Sequence, residues 1–173
     1  MTGSGSGGGG GGARGSAGGN AATPDVDAFT RPYWEAAAEG RLLLRHCAAC
    51  GRPHHYPREF CPYCWSEDVH WHPASGRATL YTWSVVHRND LPPFGERVPY
   101  VAAVVDLTEG PRMMTEIVGC PEAELRIGME LHVRFRAGAG SGDGIAVPVF
   151  GPAPTTTRAP EPEPGPGPGP ASA

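Results

Sequence analysis

Four cysteines in two Cys-x-x-Cys pairs are the residues whose type and spacing most clearly specify chemistry. They lie within C-A-A-C-G-R-P-H-H-Y-P-R-E-F-C-P-Y-C, with ten residues between the pairs. Each pair brings two thiolates to one side of a tight turn, and the glycine after the first pair and the proline inside the second favour such turns. Four thiolates are the ligand set of a closed tetrahedral zinc site. The sequence therefore predicts a structural Zn²⁺ ion bound by Cys47, Cys50, Cys61 and Cys64.

Other chemistries of four cysteines fit the sequence less well. Two disulfides require an oxidising compartment, and the N-terminus has no basic segment followed by an apolar run that would direct export. A thioredoxin-type pair occurs singly, whereas this pair occurs twice. Rubredoxin-like iron uses similar ligands, so the spacing leaves iron open. His54 and His55, between the pairs, are interpreted as ordinary ribbon residues because structural zinc rarely takes a fifth ligand.

Cys120 is the only thiol outside this motif. A nucleophilic cysteine needs a histidine or a positive charge beside it, and the sequence cannot place one there. We interpret Cys120 as a buried or incidental cysteine, and the sequence predicts no catalytic residue.

Composition narrows the possible partners. All fourteen basic residues are arginine, and residues 31–151 contain twelve arginines against fourteen acidic residues, a formal balance of −2. The absence of a basic stripe argues against nucleic acid as the main partner. No apolar run approaches the ~18 residues of a membrane span, so a soluble, cytoplasmic protein is expected.

The ends of the chain differ from its middle. Residues 1–24 are rich in glycine, and residues 152–173 are rich in proline. Such segments bury too little apolar surface to offset their ordering entropy, so both are predicted to be disordered tails. Between them we expect an N-terminal helix with a lead-in strand at 25–45, a zinc ribbon at 46–75 and a barrel at 76–151.

A short helix is predicted before the first cysteine pair. Thr30 lies where a cap can form, Pro32 suits a first turn, and a glycine at position 40 ends the helix. Its aromatic residues Phe29, Tyr33 and Trp34 either pack on the ribbon of the same chain or dock on a partner subunit.

Five strands are predicted after the ribbon, and a proline-rich loop at 91–99 separates the first two. One helical turn at 121–125 lies between the third and the fourth strand, and this order is typical of an OB-fold barrel. The predicted fold is therefore mainly β, with an N-terminal helix, a rubredoxin-like zinc ribbon and a five-stranded OB-fold barrel. The five strands span residues 78–88, 100–107, 111–118, 130–136 and 145–150.

Several segments together resemble a known family. They include P-Y-W-E-A-A-A-E-G-R-L-L-L-R-H-C-A-A-C-G, P-R-E-F-C-P-Y-C-W-S-E-D, S-G-R-A-T-L-Y-T-W-S-V-V-H-R, P-Y-V-A-A-V-V-D-L-T-E-G and I-G-M-E-L-H-V-R-F. The likeness spans about residues 31–150 and is to the bacterial and archaeal zinc-ribbon OB-fold proteins linked to acyl-CoA metabolism, formerly a domain of unknown function. It implies the four cysteines as zinc ligands. One departure is Trp65, where relatives often have glycine.

The resemblance also implies a function. Members of this family are generally accessory subunits that associate with thiolase-like enzymes, retro-aldolases, hydroxymethylglutaryl-CoA synthases or hydratases. The OB-fold part can help to shape a channel for a CoA thioester. The partners expected for this chain are therefore a thiolase-like, aldolase or hydratase subunit and an acyl-CoA.

Arginines on the predicted strands are candidates for contact with CoA. Arg88 follows His87 at the end of one strand, and His132, Arg134 and Arg136 alternate with apolar residues on another. Polar alternation is typical of any half-exposed sheet face, so a solvated surface explains these residues. Because arginine pairs bidentately with phosphates, the alternative is that Arg88, Arg134 and Arg136 bind the CoA phosphates.

Three functions remain in competition at this point. The first is a non-catalytic scaffold subunit of an acyl-CoA enzyme, and the resemblance favours it. The second is a single-stranded nucleic-acid-binding OB-fold module, which the negative charge balance opposes. The third is a stand-alone thioesterase or acyltransferase, which lacks a recognisable nucleophile and base.

Overall fold

The computed structural model describes residues 26–92, 94–138 and 145–154. Most of both predicted tails and of the predicted glycine-rich turn at 138–144 lies outside these residues. The elements in chain order are α1 (Arg31–Ala38), β1 (Leu43–Cys47), β2 (Pro53–His54), β3 (Val69–Pro73), β4 (Arg77–Val86), β5 (Tyr100–Leu107), β6 (Arg112–Ile117), β7 (Glu130–Ala137) and β8 (Ala146–Pro152), with 3-10 turns at Phe94–Arg97 and Glu122–Glu124. In the described part of the chain, no helix is long and apolar enough to cross a membrane.

Helix α1 and the turn before it pack aromatic residues onto the ribbon. The rings of Phe29 and Tyr33 lie 6.0 and 6.2 Å from that of Trp71 in β3. The aromatic cluster therefore serves a local core, which was the simpler of the two alternatives. The Thr30 side chain does not cap the helix. It donates instead to the Asp27 carboxylate, which also accepts the Thr30 backbone N–H at 2.6 Å.

The ribbon is a three-stranded antiparallel sheet in the order β2-β1-β3. Strand β1, predicted as a lead-in to the ribbon, is its central strand and pairs along its whole length with β3. The ribbon sheet therefore begins before residue 46, because the pairing partner of β1 follows the second cysteine pair.

A closed five-stranded barrel follows, in the order β4-β5-β6-β8-β7. All its neighbouring strands are antiparallel except β6 and β8. Strand β4 pairs with both β5 and β7, and an irregularity between Leu80 and Thr82 bends it so that the sheet closes. These observations, with the 3-10 turn between β6 and β7, confirm the predicted OB-like barrel.

One hydrophobic core joins the barrel, the helix and the base of the ribbon. Leu80, Val105, Leu131 and Phe150, from four different strands, are each at most 1% exposed. They belong to the same buried cluster as Tyr33, Ala36, Leu42, Leu43 and Leu44. The helix and the ribbon are thus fixed against the barrel.

Gly76 forms the turn from the ribbon into the barrel. Its φ is +74°, and a Cβ atom there would lie 2.5 Å from Cγ1 of Val133. Its carbonyl accepts a hydrogen bond from the Val133 N–H at 2.8 Å. Only glycine fits this position without strain, because both the backbone and the space exclude a side chain.

Candidate metal centre and adjoining cavity

The four predicted cysteine ligands converge at one end of the ribbon. Their Sγ atoms all lie within 4.8 Å of one another. Cys47 and Cys64 have their sulfurs 3.6 Å apart, and so do Cys50 and Cys61. A tetrahedral zinc ion with Zn–S bonds of about 2.3 Å requires sulfurs about 3.8 Å apart. The cysteines are therefore positioned for metal binding.

Both cysteine pairs use the same turn. The carbonyl of Cys47 accepts from the N–H of Gly51, and that of Cys61 accepts from the N–H of Trp65, each at 2.9 Å. Both donors have positive φ, +69° for Gly51 and +63° for Trp65. Glycine adopts this conformation freely, whereas it costs a bulky residue about 1 kcal/mol or more.

The Trp65 side chain projects from this turn. It is 74% exposed and stacks on Phe60, with ring centroids 5.3 Å apart and an angle of 14° between the rings. Since so little of the indole is buried, packing within the chain does not account for the bulky side chain at this position.

Backbone donors support the thiolate form of Cys61. Burial raises the pKa of this thiol, but hydrogen bonds from the backbone of Tyr63 and Cys64 and from the thiols of Cys50 and Cys64 outweigh burial and lower the pKa to about 7. In Cys50 and Cys64, backbone hydrogen bonds lower the pKa, but burial and the neighbouring thiols outweigh them and raise it. The Tyr63 N–H lies 3.4 Å from the Cys61 sulfur. The thiolate is the form that binds metal.

His54 and His55 lie outside the cysteine cluster. His54 is 2% exposed, and its Nδ1 is 3.2 Å from the carbonyl of Tyr56, so Nδ1 carries the proton. The His55 ring lies 6.2 Å from the ring of Tyr33. Burial, and secondarily the neighbouring His54, lowers the pKa of His55 to about 4. His55 is therefore neutral near pH 7.

A cavity of about 500 Å³ lies where the helix, the ribbon and the barrel meet. Tyr33 and Trp34 of α1, His55 of the ribbon, Tyr100 of β5 and Met113 of β6 contribute to its lining. A concave site of this size with mostly aromatic and aliphatic walls suits an apolar ligand or segment.

Three charged residues form a cluster at one edge of this cavity. Glu116 accepts a hydrogen bond from Nη1 of Arg136 at 2.8 Å and forms a second ion pair with Arg97. Burial raises the pKa of Glu116, but the two arginines outweigh burial and hold the pKa below its ordinary value. Two guanidinium groups on one carboxylate leave one excess positive charge, which favours an anion nearby.

Comparisons with known proteins decide the family. Residues 34–70 match the model described as the rubredoxin-like zinc ribbon domain of ChsH2, and residues 71–136 match that of the ChsH2 C-terminal OB-fold domain. The chain belongs to this family. The cysteine centre and the barrel thus correspond to the two domains that define it.

Relatives in the family are named as enzyme subunits and scaffolds. A probable enoyl-CoA hydratase alpha subunit of Thermomonospora curvata is 38% identical over 106 residues, and the match covers 61% of this chain and 33% of that protein. A DUF35 domain-containing scaffold protein of Methanocaldococcus jannaschii is 36% identical, with 55% and 67% covered. The benzoylsuccinyl-CoA thiolase subunit BbsA of Thauera aromatica is 32% identical, with 61% and 78% covered. The chain thus spans about a third of the length of the hydratase subunit.

A solved structure shares the fold. The structure titled Ltp2-ChsH2(DUF35) aldolase superposes with a TM-score of 0.65 and 34% sequence identity, and the match covers 75% of this chain and 98% of that one. The family likeness therefore extends to three-dimensional structure.

The three arginines predicted to contact CoA lie in different surroundings. Arg136 borders the large cavity. Arg134 packs over Gly151 and donates to the Pro152 carbonyl at 3.4 Å. Arg88 pairs with Asp90 at 3.1 Å and lines a separate, shallower concavity. Of these arginines, the fold brings only Arg136 to the cavity.

Sequence reasoning missed Arg97 and Glu116. Arg97 lies in the predicted proline-rich loop, where a 3-10 turn holds its guanidinium 5.7 Å from the ring of Tyr100. Glu116 lies on β6, opposite Ala102 of β5. No local pattern marks either residue, because closure of the barrel brings them together.

Proposed function

We propose that the chain is a non-catalytic accessory subunit that binds a thiolase, aldolase or hydratase partner and helps to bind or channel its acyl-CoA thioester. The observation that carries the proposal is the cavity of about 500 Å³ between helix, ribbon and barrel, with an excess positive charge at its edge. Apolar walls suit an acyl or pantetheine chain, and arginine suits an anionic group.

The proposal gives the arginines and the metal separate roles. Arg136, Arg134 and Arg88 contact CoA phosphates in the assembled complex, and Arg136, beside the cavity, contributes most. The metal is structural zinc, because four thiolates leave no open position for a substrate. When bound, zinc supplies folding energy to the ribbon. The cysteines hold the ion, and backbone N–H groups favour the thiolate form of Cys61, whose pKa they lower.

Cys120 supports a non-catalytic role. Burial, and secondarily the carboxylate of Glu124, raises the pKa of its thiol. A nucleophilic cysteine needs the opposite shift, since the thiolate is the reactive form.

Trp65 is the partner contact that we propose on the ribbon. Its exposed indole is stacked on Phe60 and so is held in one orientation before any partner arrives. Aromatic residues fixed in this way are enriched among the residues that dominate the affinity of interfaces.

The decisive experiment is affinity purification from the native host. Recovery of a thiolase, aldolase or hydratase subunit in stoichiometric yield is expected, and recovery of nucleic acid alone would end the proposal. In the purified complex, CoA affinity is then compared between wild type, Arg136→Ala and the triple Arg88, Arg134 and Arg136 to Ala variant. Unchanged affinity in the triple variant removes the arginines from the proposal. Elemental analysis is expected to find one zinc per chain, and iron would overturn the metal assignment.

A further inference from the structure

Three hydrogen-bonding side chains of the helix and the ribbon line the large cavity. They are Tyr33 and Trp34 of α1 and His55, which follows β2. Within the described ranges of the chain, no hydrogen bond is formed by the Tyr33 hydroxyl, the Trp34 indole N–H or the His55 ring. Tyr33 is 5% exposed, and the wholly buried unpaired polar atoms of the described residues belong to other side chains, so its hydroxyl is accessible from the cavity. Buried tyrosine and tryptophan side chains normally pair their O–H or N–H, so this wall of the cavity is suited to pair with a ligand.

The polar side chains that the barrel contributes to the same cavity already have partners. The hydroxyl of Tyr100 accepts a hydrogen bond from Asn89 at 3.0 Å, and that of Thr115 donates to a backbone carbonyl at 3.3 Å. Glu116 and Arg136 are paired with each other. The cavity therefore has a charged wall on the barrel, whose groups are paired, and a wall on the helix and ribbon whose polar groups are free.

The free groups are all uncharged near neutral pH. Burial, and secondarily Tyr56, raises the pKa of Tyr33, so its hydroxyl stays protonated and can donate. The neutral imidazole of His55 offers one donor and one acceptor, and the indole of Trp34 offers a donor. Neutral donors next to an acceptor suit an amide group, which needs both, whereas a phosphate or carboxylate binds more strongly to charged donors.

These groups distinguish between the two parts of an acyl-CoA that can fill an apolar cavity. A hydrocarbon acyl chain has no polar atoms and would bury the three side chains without partners, which costs free energy. The pantetheine arm carries amide groups and a hydroxyl group on short apolar segments, so it can pair with them and still fill the cavity. This arm also leads to the phosphates of CoA, for which Arg136 lies on the opposite wall.

We propose that the cavity binds the pantetheine arm of CoA rather than the acyl chain, and that Tyr33, Trp34 and His55 recognise its amide groups. This assignment rests on the proposed function, because an acyl-CoA is what brings a pantetheine arm to the cavity. A site that is built to form hydrogen bonds discriminates against ligands that lack the matching groups. The chain thus recognises the part that all CoA thioesters share, and the acyl group is left to the partner enzyme.

The test is a titration of the full-length, zinc-loaded, isotope-labelled protein with S-methylpantetheine, a thioether that leaves no free thiol to compete for zinc. In wild type, NMR is expected to show a downfield shift of the Trp34 indole N–H signal. Tyr33→Phe and His55→Phe are each expected to weaken binding about threefold to tenfold, because each removes a hydrogen-bonding group. Tyr63→Phe is the matched control, an exposed ribbon tyrosine that is not among the described lining residues, and should bind like wild type. Hexyl methyl sulfide has the same thioether but no amide, and Tyr33→Phe should bind it as wild type does.

Two results would overturn this assignment. One is that S-methylpantetheine leaves the Trp34 indole signal of wild type unchanged, a measurement that needs no variant and so decides even if Tyr33→Phe disturbs the core. The other is that Tyr33→Phe and His55→Phe both bind it as tightly as wild type. Either result leaves the proposed function standing if a partner enzyme co-purifies and the triple arginine variant loses CoA affinity. Conversely, affinity purification without any partner refutes the proposed function, whatever S-methylpantetheine does.

Discussion

Glu116 holds together two arginines from different parts of the barrel, and Glu116→Gln tests how much this cluster matters. Arg97 lies in the loop between β4 and β5, and Arg136 lies on β7. Both guanidinium groups can only donate hydrogen bonds. The glutamine amide has the shape of the carboxylate, but one of its two acceptor oxygens becomes an NH₂ group. One arginine therefore loses its acceptor, and the two positive charges lose the negative charge between them.

The burial of the cluster sets the size of the effect. The side chains of Glu116, Arg97 and Arg136 are 18%, 25% and 36% exposed, so solvent screens them only in part. Charge-assisted hydrogen bonds contribute about 1.5–3 kcal/mol each, whereas fully exposed ion pairs contribute about 0–1 kcal/mol. For two partly buried bonds we expect Glu116→Gln to lower the free energy of unfolding by about 2 kcal/mol.

Asp90→Asn is the matched control. Its ion pair with Arg88 has side chains 77% and 85% exposed, so a change within about 0.5 kcal/mol is expected. Urea denaturation of both variants, and a double-mutant cycle of Glu116→Gln with Arg136→Gln, measure the effect. A coupling of about 1 kcal/mol is expected in the cycle. If Glu116→Gln costs no more than Asp90→Asn, the cluster does not stabilise the barrel and the reasoning is wrong.

The same residue gives a pH dependence with a defined sign. The folded-state pKa of Glu116 lies below its ordinary value of 4.5. Its contribution to stability is therefore fully present above that ordinary value and is lost as the pH falls through the folded-state pKa. The stability difference between wild type and Glu116→Gln is expected to be constant near neutral pH and to shrink below about pH 4.5. A difference that grows on acidification would contradict the assigned charges.

Three further predictions concern the ribbon and its junction. Chelation of the metal, or Cys61→Ser, is expected to remove folding energy on the order of 10 kcal/mol from the ribbon. The NMR signals of the ribbon should then lose their chemical-shift dispersion. Unchanged ribbon signals after metal loss would contradict a structural role for the metal. Trp65→Gly removes the cost of the positive φ, about 1 kcal/mol, and also removes the stabilising stack on Phe60, about 1 kcal/mol. Because the two effects oppose each other, thermal stability is expected to change little while recovery of the partner enzyme falls. Leu91 is an exposed apolar residue in the loop between β4 and β5, and Leu91→Ala serves as the control that should keep the partner. Gly76→Ala is expected to lower the free energy of unfolding, measured by urea denaturation, by about 1–3 kcal/mol more than Gly128→Ala. Gly128 is the control because it has a similar φ but open space around it. Equal losses in the two variants would refute the contact with Val133.

Local patterns predicted much of this fold because the signals are periodic or depend on spacing. The alternation of Leu131, Val133 and Phe135 with polar residues marks β7, and the structure has this strand at Glu130–Ala137. The cysteine spacing predicted the sulfur cluster because each pair closes its own turn. Strand ends were less accurate, and β8 continues to Pro152, since pairing with β7 rather than sequence pattern sets where it ends.

Such local patterns did not predict the contacts between segments that are distant in the chain. Trp65 differs from the glycine that relatives often have, but its positive φ and its stack on Phe60 depend on the turn that the second cysteine pair imposes. That His46 lies opposite His70 follows from the register of β1 and β3, which are joined through both cysteine pairs. Register is a property of the paired strands, and no single segment contains it.

The sequence by itself determined the four cysteines that are positioned for metal binding, the order of helix, ribbon and barrel, and the resemblance to an acyl-CoA-associated family, because each depends on residues close together in the chain. Tertiary structure alone decided which charged residues meet. It separated Arg88 from Arg136, joined Arg97 and Arg136 through Glu116, and formed the cavity beside them. The physical reason is closure of the barrel, which brings strands distant in sequence into contact and so fixes neighbours that no local pattern encodes.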